Sequence, residues 1–393
     1  MSRPSVLIVG VGVVSAAGAN VAATLDTFRQ GRRNWSVAKP FETSICSPTF
    51  QVEAELAPLP APRHNCRTLR LAMAAIGEAL AEAELGPNLS HLRVGVCLGT
   101  TVASQLNSIP FYDGYRRSGH PALEPVHDFL NANLAEAVAD LLRLTGPRMT
   151  VVNACSSGSD AIGIACSWLR AGLCDVAIAG GADELSRVAL AGFSSLGVMS
   201  PQPCAPFDRD RQGLNLGEGA GILILESAQH AQACGRKATC EVAGFGAGCD
   251  AHHLTAPHPE GRGLQRAIEA ALAQAGAAPS QVAFINAHGT ATLDNDRVEA
   301  GTIARIFGAS TPFLSTKGYT GHTLGAAGGL EAAFTVLGLI HGWIPASAGF
   351  ENKPDDMPIA PVRQITTVGG ELALSTSLAF GGNNAALLLR RTA

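Results

Sequence analysis

The chain has 393 residues, 47 % hydrophobic and 15 % charged, with a formal net charge of −4 at pH 7. That length accommodates two domains or one large domain of two similar halves, and the composition excludes a disordered chain. The charge gives no reason to expect nucleic acid as a partner, while 44 glycines and 5 % aromatics suit a tightly packed α/β interior rich in small residues.

Strand-like runs lie near 5–14, 93–100, 149–154, 175–181 and 219–226, and again near 238–247, 282–287, 312–316, 371–377 and 385–390. Nearly all are continuous Val/Ile/Leu/Ala runs, which predicts strands buried on both faces. Helical windows such as 68–84, 130–143, 158–171, 263–275 and 325–341 stand between them, so the class is α/β with helix-covered sheets. Segment 101–130 is polar and reads as irregular, an interface or a pocket wall. SVLIVGVGVVS (Ser5–Ser15) and TCEVAGFGAG (Thr239–Gly248) each run from a β-branched stretch into a Gly-x-Gly turn and open a series of about five strands, which suggests duplication. Neither is a dinucleotide fingerprint, because the third glycine and the acidic residue are not in place.

The ten cysteines form no CxxC pair and no repeating spacing, so neither a zinc site nor a disulfide framework is expected, and a reducing cytoplasm is. The start runs almost directly into Val6-Leu-Ile-Val-Gly without a cleavable signal. No run is read as approaching the roughly 18 apolar residues that span a bilayer, so no membrane is expected as a partner.

Four motifs carry chemistry. Cys155, in Val-Val-Asn-Ala-Cys-Ser-Ser-Gly, is read at the junction of a strand ending at 154 and a helix starting near 156, where the helix N-terminus favours a thiolate. On this run alone it is equally well a small core residue. His288 follows the strand Val282–Ile285 at its C-terminal edge, with Thr290, Thr292, Asn295, Asp296 and Glu299 close behind. Lys317 and His322 flank a glycine-bearing turn, and Glu331 on the following helix is a charge partner for Lys317. Phe380-Gly381-Gly382 ends a strand with a turn whose glycines allow backbone N–H groups to point into a cavity.

Together these motifs resemble the β-ketoacyl synthase family of the thiolase-like fold, in its elongating, acyl-carrier-protein-dependent branch. The resemblance runs in order from about residue 5 to 391. It rests on Ala154-Cys155-Ser156-Ser157, His288-Gly289-Thr290 with Asn295-Asp296 and Glu299, Lys317 with Gly321-His322 and Gly325-Ala-Ala-Gly, and Phe380-Gly381-Gly382. Pro206–Gly213, Gly217–Gly221 and Asp250–Pro257 fit it as well. It implies two pseudo-duplicated βαβαβαββ halves, 1–236 carrying Cys155 and 237–393 carrying His288, Lys317 and His322, in a layered α/β/α/β/α architecture.

The resemblance also implies a function. Cys155 would accept an acyl group from an acyl carrier protein and pass it to a decarboxylating malonyl thioester. His288 and His322 would stabilise the enolate, and the N–H groups of Cys155 and Phe380 would form an oxyanion hole. Lys317 would order the site with Glu331. Thr290 and Thr292 match contacts to the pantetheine arm, Phe380 matches a gating aromatic, and Asp296 and Glu299 give structural support. No metal or organic cofactor is implied, since the substrates ride on the carrier's phosphopantetheine. A homodimer, or a heterodimer with a related subunit, is expected. Arg63, Arg67 and Arg70, about one turn apart at a helix start, lie where the family docks its acidic carrier. Ala379, Asn383 and Leu293 depart from the family's usual glycine, threonine and proline, which bears on gate mobility and chain length. A CoA-dependent thiolase and a non-catalytic partner subunit are the alternative readings.

Overall fold

The computed structural model describes residues 4–59, 66–86, 88–102, 109–131 and 133–392. In chain order the strands are β1 (Val6–Ser15), β2 (Val94–Gly99), β3 (Arg148–Val151), β4 (Val176–Asp183), β5 (Gly219–Ser227), β6 (Cys240–Cys249), β7 (Val282–Asn286), β8 (Phe313–Leu314), β9 (Trp343–Ile344), β10 (Thr366–Thr367), β11 (Leu372–Ala379) and β12 (Asn383–Arg391). Ten of them join in the order β3-β2-β4-β5-β1-β6-β12-β11-β7-β8, and β9 and β10 form a separate pair.

Read outward from the central β1–β6 contact, both halves have the same order: first, fifth, fourth, second, third strand. The directions repeat too. β1–β5 and β5–β4 are antiparallel while β4–β2 and β2–β3 are parallel. β6–β12 and β12–β11 are antiparallel while β11–β7 and β7–β8 are parallel. The join itself is short, Leu7 facing Glu241 and Ile8 facing Cys240.

The glycines of the repeated Gly-x-Gly lie inside strands rather than in turns. A Cβ at Gly10 or Gly12 would sit 2.1 or 1.9 Å from the carbonyl oxygens of Ala79 and Ala75, in the helix Arg67–Glu82. In the second half Gly244 and Gly246 meet the carbonyls of Ala271 and Ala267 at 2.1 and 2.0 Å, in the helix Arg262–Ala275. Each outer helix thus lies directly on the first strand of its half, and glycine is required by that close approach rather than by a turn.

Between the halves lie Ser157–Arg170 and Ala327–His341. Gly158 faces the backbone of Gly328 and Gly329, and Gly163 lies under the Phe245 ring. Ala327–His341 packs against β4 and β5 on one side and β11 and β12 on the other. Its extended window, Leu324–His341, has 18 residues of mean hydropathy 1.4, which corrects the expectation that no run approaches spanning length. It is 89 % buried within the fold, as the central helix of a layered protein must be.

Other expectations are also corrected. β3 is an edge strand with Arg148 and Met149 exposed, because nothing among the described residues covers its outer side. It ends at Val151, not 154. Within 101–130 stand two helices, Ile109–Ser118 and Glu124–Asn131, with Tyr112 and Tyr115 exposed at 61 % and 58 %. The helix expected from 130 starts at Leu134, where the Asn133 side chain caps the Glu136 N–H.

Candidate active site

The thiol sits on a deliberately bent backbone. Ala154 has φ +51°, a left-handed conformation uncommon for a residue with a Cβ. Two side-chain bonds hold it there: Ser157 Oγ donates to the Ala154 carbonyl at 2.6 Å and accepts from the Asn153 N–H at 2.8 Å. The helix begins at Ser157, so Cys155 stands just before its N-terminus.

Cys155 Sγ is buried and lies 2.9 Å from His322 Nε2. The His288 and His322 rings cross edge to face with centroids 5.3 Å apart. Both rings are buried, and burial followed by the Lys317 charge holds each well below the usual histidine pKa. They are neutral at pH 7.

Hydrogen bonds then fix the tautomers. His322 Nδ1 accepts from the Leu324 N–H at 3.2 Å, so its proton is on Nε2. His288 Nδ1 lies 3.0 Å from Lys317 Nζ, an ammonium that only donates, so His288 also carries its proton on Nε2. Both rings are set as donors by partners behind them. The ligand atoms of Cys155, His288 and His322 lie within 4.8 Å of one another, a spacing a metal ion could use. With both Nε2 atoms protonated, however, the imidazoles offer hydrogens rather than lone pairs.

Lys317 spends its three N–H groups on His288 Nδ1, on the His288 carbonyl at 2.6 Å and on Glu331 Oε1. Burial raises the Glu331 carboxyl to about 7 against the opposing pull of Lys317. The loop after β7 is tied down by carboxylates. Glu299 accepts from the N–H groups of His288 and Gly289, both at 2.8 Å, and from Thr376 Oγ1 at 2.8 Å. Asp296 accepts from Phe207 N–H at 2.6 Å and Ala291 N–H at 3.2 Å.

The thiol is raised to about 11, chiefly by burial. Lys317 and the backbone N–H groups of Phe380 and Cys155 oppose this without overcoming it. The helix terminus therefore does not make a resting thiolate. Those two N–H groups are the pair that the family resemblance assigns to an oxyanion hole, and both favour negative charge at the sulfur.

The double glycine works differently from the expectation. Gly381 donates to the Leu254 carbonyl at 2.7 Å and Gly382 to the Ala379 carbonyl at 3.0 Å, so neither N–H points into the cavity. With φ of +87° and +80° they instead form the bend that follows Phe380, whose N–H favours negative charge at the sulfur. Asn383, the departure from the usual threonine, donates to Asn153 Oδ1 at 2.6 Å and ties this turn to the strand end before the thiol.

A cleft of about 440 Å³ opens onto the thiol. His288, His322, Thr290, Thr292, Leu378, Ala379 and Phe380 line it. Phe193, Leu214, Asp250, Thr255 and Pro257 line it too and were not singled out as site residues. Phe193 stacks on Phe380 with centroids 5.5 Å apart. It carried no signal, being one residue of an ordinary amphipathic helix, Arg187–Ser195; Asp250, Thr255 and Pro257 fall in a stretch already noted for its resemblance.

The basic docking trio is not a free face. Arg67 pairs with fully buried Glu218 at 2.6 Å, and Arg70 donates to the Leu56 carbonyl. Burial of Glu218 demands that cation, which corrects the view of Arg67 as a projecting docking charge. Arg63 lies outside the described residues.

Comparison with known proteins agrees with this geometry. The model of the beta-ketoacyl synthase N-terminal domain matches residues 3–231 and that of the C-terminal domain matches 239–351. The chain is similar to 3-oxoacyl-[acyl-carrier-protein] synthase 2 of Rhizobium meliloti (strain 1021), 37 % identical over 343 residues, covering 81 % of this chain and 80 % of the relative. It is 33 % identical over 410 residues to the synthase of the same name in Staphylococcus aureus (strain COL), covering 98 % of each. Among solved structures, the ishigamide ketosynthase/chain length factor superposes with a TM-score of 0.93 at 31 % identity over 100 % of both chains. Matches that run through both duplicated halves, on a backbone that brings the second half's histidines to the first half's thiol, place this chain in the β-ketoacyl synthase family.

Proposed function

We propose that Cys155 is the acyl-accepting nucleophile of a condensing reaction between two carrier-bound thioesters, and that His288 and His322 are its enolate-stabilising donors. The observation that supports this most is the pair of fixed tautomers, which aims two Nε2–H groups at the space beside the thiol.

In the first step Cys155 attacks the acyl thioester of a carrier protein. The carbonyl–sulfur bond to pantetheine breaks, and the proton lost by Cys155 is gained by the leaving pantetheine sulfur. The Phe380 and Cys155 N–H groups hold the tetrahedral oxyanion. In the second step a malonyl thioester loses carbon dioxide, and the electrons of the broken C–C bond move onto the thioester oxygen. His288 and His322 donate to that oxygen. The enolate carbon then attacks the Cys155 thioester and Cys155 leaves as thiolate, to be reprotonated. The thioester itself delocalises the carbanion, so this route calls on no metal or organic cofactor. Thr290 and Thr292, bonded to each other at 2.9 Å on the cleft wall, are proposed pantetheine contacts.

The proposed partners are an acyl carrier protein and a second thiolase-fold subunit. Support for the latter is the exposed β3 edge, where Met149 and Val152 stand 44 % and 61 % exposed only a few residues from the thiol. The ten unpaired cysteines suit a reducing, cytoplasmic setting.

Replacing His322 by Ala tests the donor role. Malonyl-carrier decarboxylation by the acylated enzyme should fall about 10²- to 10³-fold, the usual cost of one oxyanion donor. Carbon dioxide release at the parent rate would refute it.

A further inference from the structure

A second thiol–imidazole cluster stands apart from the cleft, where β5 leads into the short helix Ala228–Ala233. Glu226, His230 and Cys234 follow one another at intervals of four residues, and their ligand atoms lie within 4.8 Å of one another. Glu226 is fully buried, whereas Cys234 is exposed. His230 Nδ1 lies 2.5 Å from Glu226 Oε1, and its Nε2 lies 3.7 Å from Cys234 Sγ.

A carboxylate only accepts, so the Nδ1 proton faces Glu226 and the Nε2 lone pair faces the sulfur. This is the reverse of the tautomer in the cleft. There the imidazoles are set as donors; here the imidazole is set as a base. Glu226 is held in turn by Arg236, whose Nε is 2.8 Å from Oε2 and which also donates to the Ala83 carbonyl. A nucleophile, a base beside it and a group orienting the base form an activated-thiol arrangement. A metal ion suits it poorly, because the two ring nitrogens face different partners and Arg236 already supplies a cation to the carboxylate.

We infer that Cys234 is a base-assisted surface thiol that exchanges with low-molecular-weight disulfides. His230 Nε2 takes the Cys234 proton, and Sγ attacks one sulfur of the disulfide. The S–S bond breaks, and the departing thiolate takes the proton from Nε2. The products are a mixed disulfide at Cys234 and one free thiol, with no other oxidant or reductant needed. An acyl thioester is a poor substrate here, because the nearby N–H groups are already used. Those of Cys234, Gly235 and Arg236 donate to the carbonyls of His230, Gln232 and Ala231 at 3.0, 3.2 and 2.9 Å, leaving none of the three for an oxyanion.

Cys46 and Cys249 are exposed as well and serve as internal controls. The full chain is incubated with oxidised glutathione and adducts are followed by peptide mass mapping. Cys234 should be modified about ten-fold faster than Cys46 and Cys249, a modest share of what a general base contributes. His230→Gln should bring Cys234 down to their rate while leaving the rates at Cys46 and Cys249, and acylation of Cys155, unchanged. Equal rates at the three cysteines in the parent chain, or a Cys234 rate indifferent to His230→Gln, would overturn the assignment.

Discussion

Lys317 is the residue whose removal separates packing from chemistry. Its ammonium is almost fully buried and serves both Glu331 and the His288 ring. Lys317→Ala leaves a buried carboxylate without its cation, and should cost about 3–5 kcal/mol in urea unfolding, the usual penalty for breaking a buried pair. It should also release the His288 tautomer and slow decarboxylation; an unchanged unfolding midpoint would contradict the pairing. Arg67→Ala exposes the same physics elsewhere. Glu218 is fully buried and Arg67 is its partner, so stability should drop by a few kcal/mol. A variant with parent stability but a raised KM for the carrier would restore the docking reading. Cys155, His288, Lys317 and His322 were legible in the sequence because each stands in a motif of small or polar residues, Cys155 and His288 just beyond strands and Lys317 and His322 on either side of a glycine. Their tautomers were not, because these depend on Leu324 N–H and Lys317 Nζ, which only the fold brings to the rings.

At the level of elements, the turn between β11 and β12 connects backbone conformation to the proposed oxyanion site. A Cβ at Gly382 would combine a φ of +80° with a 3.0 Å approach to the Asp250 Cβ. Gly382→Ala should therefore lower stability by about 1–3 kcal/mol and displace the Phe380 N–H. Acyl-enzyme formation should slow more than decarboxylation by pre-acylated enzyme, and a uniform slowing of both would contradict this division. The strands were readable as apolar runs, and most lie within two residues of their expected bounds. The Gly-x-Gly repeat was read correctly as duplication but wrongly as a turn. Glycine in a strand and glycine in a turn look alike in sequence, and only the two helices, one lying over Gly12 and the other over Gly246, distinguish them. The helices within 101–130 were missed because the stretch is polar and is punctuated by Pro110, Gly114, Gly119, Pro121 and Pro125, which read as breaks between short irregular pieces.

For the whole molecule, the repeated halves meet at a central layer whose buried carboxylates make stability depend on pH. Asp183, at the end of β4, accepts from Thr100 Oγ1 at 2.6 Å and from the N–H groups of Thr101, Val102 and Gly325. Burial nevertheless raises it to about 6 from an ordinary 3.8. Between those values the folded chain keeps a proton that the unfolded chain has lost, so this group's contribution to stability falls as pH rises from about 4 to about 6. Asp183→Asn removes the titration. The stability of the parent relative to this variant should therefore decline across that window in urea unfolding, and a constant difference would contradict the burial effect. The most direct test of the account is the intact mass of the chain after incubation with acyl-carrier thioesters of graded length. The parent should gain the mass of one acyl group for each accepted thioester, and Cys155→Ala should gain none. An acyl adduct of equal extent on Cys155→Ala would contradict the assignment of Cys155 as the nucleophile.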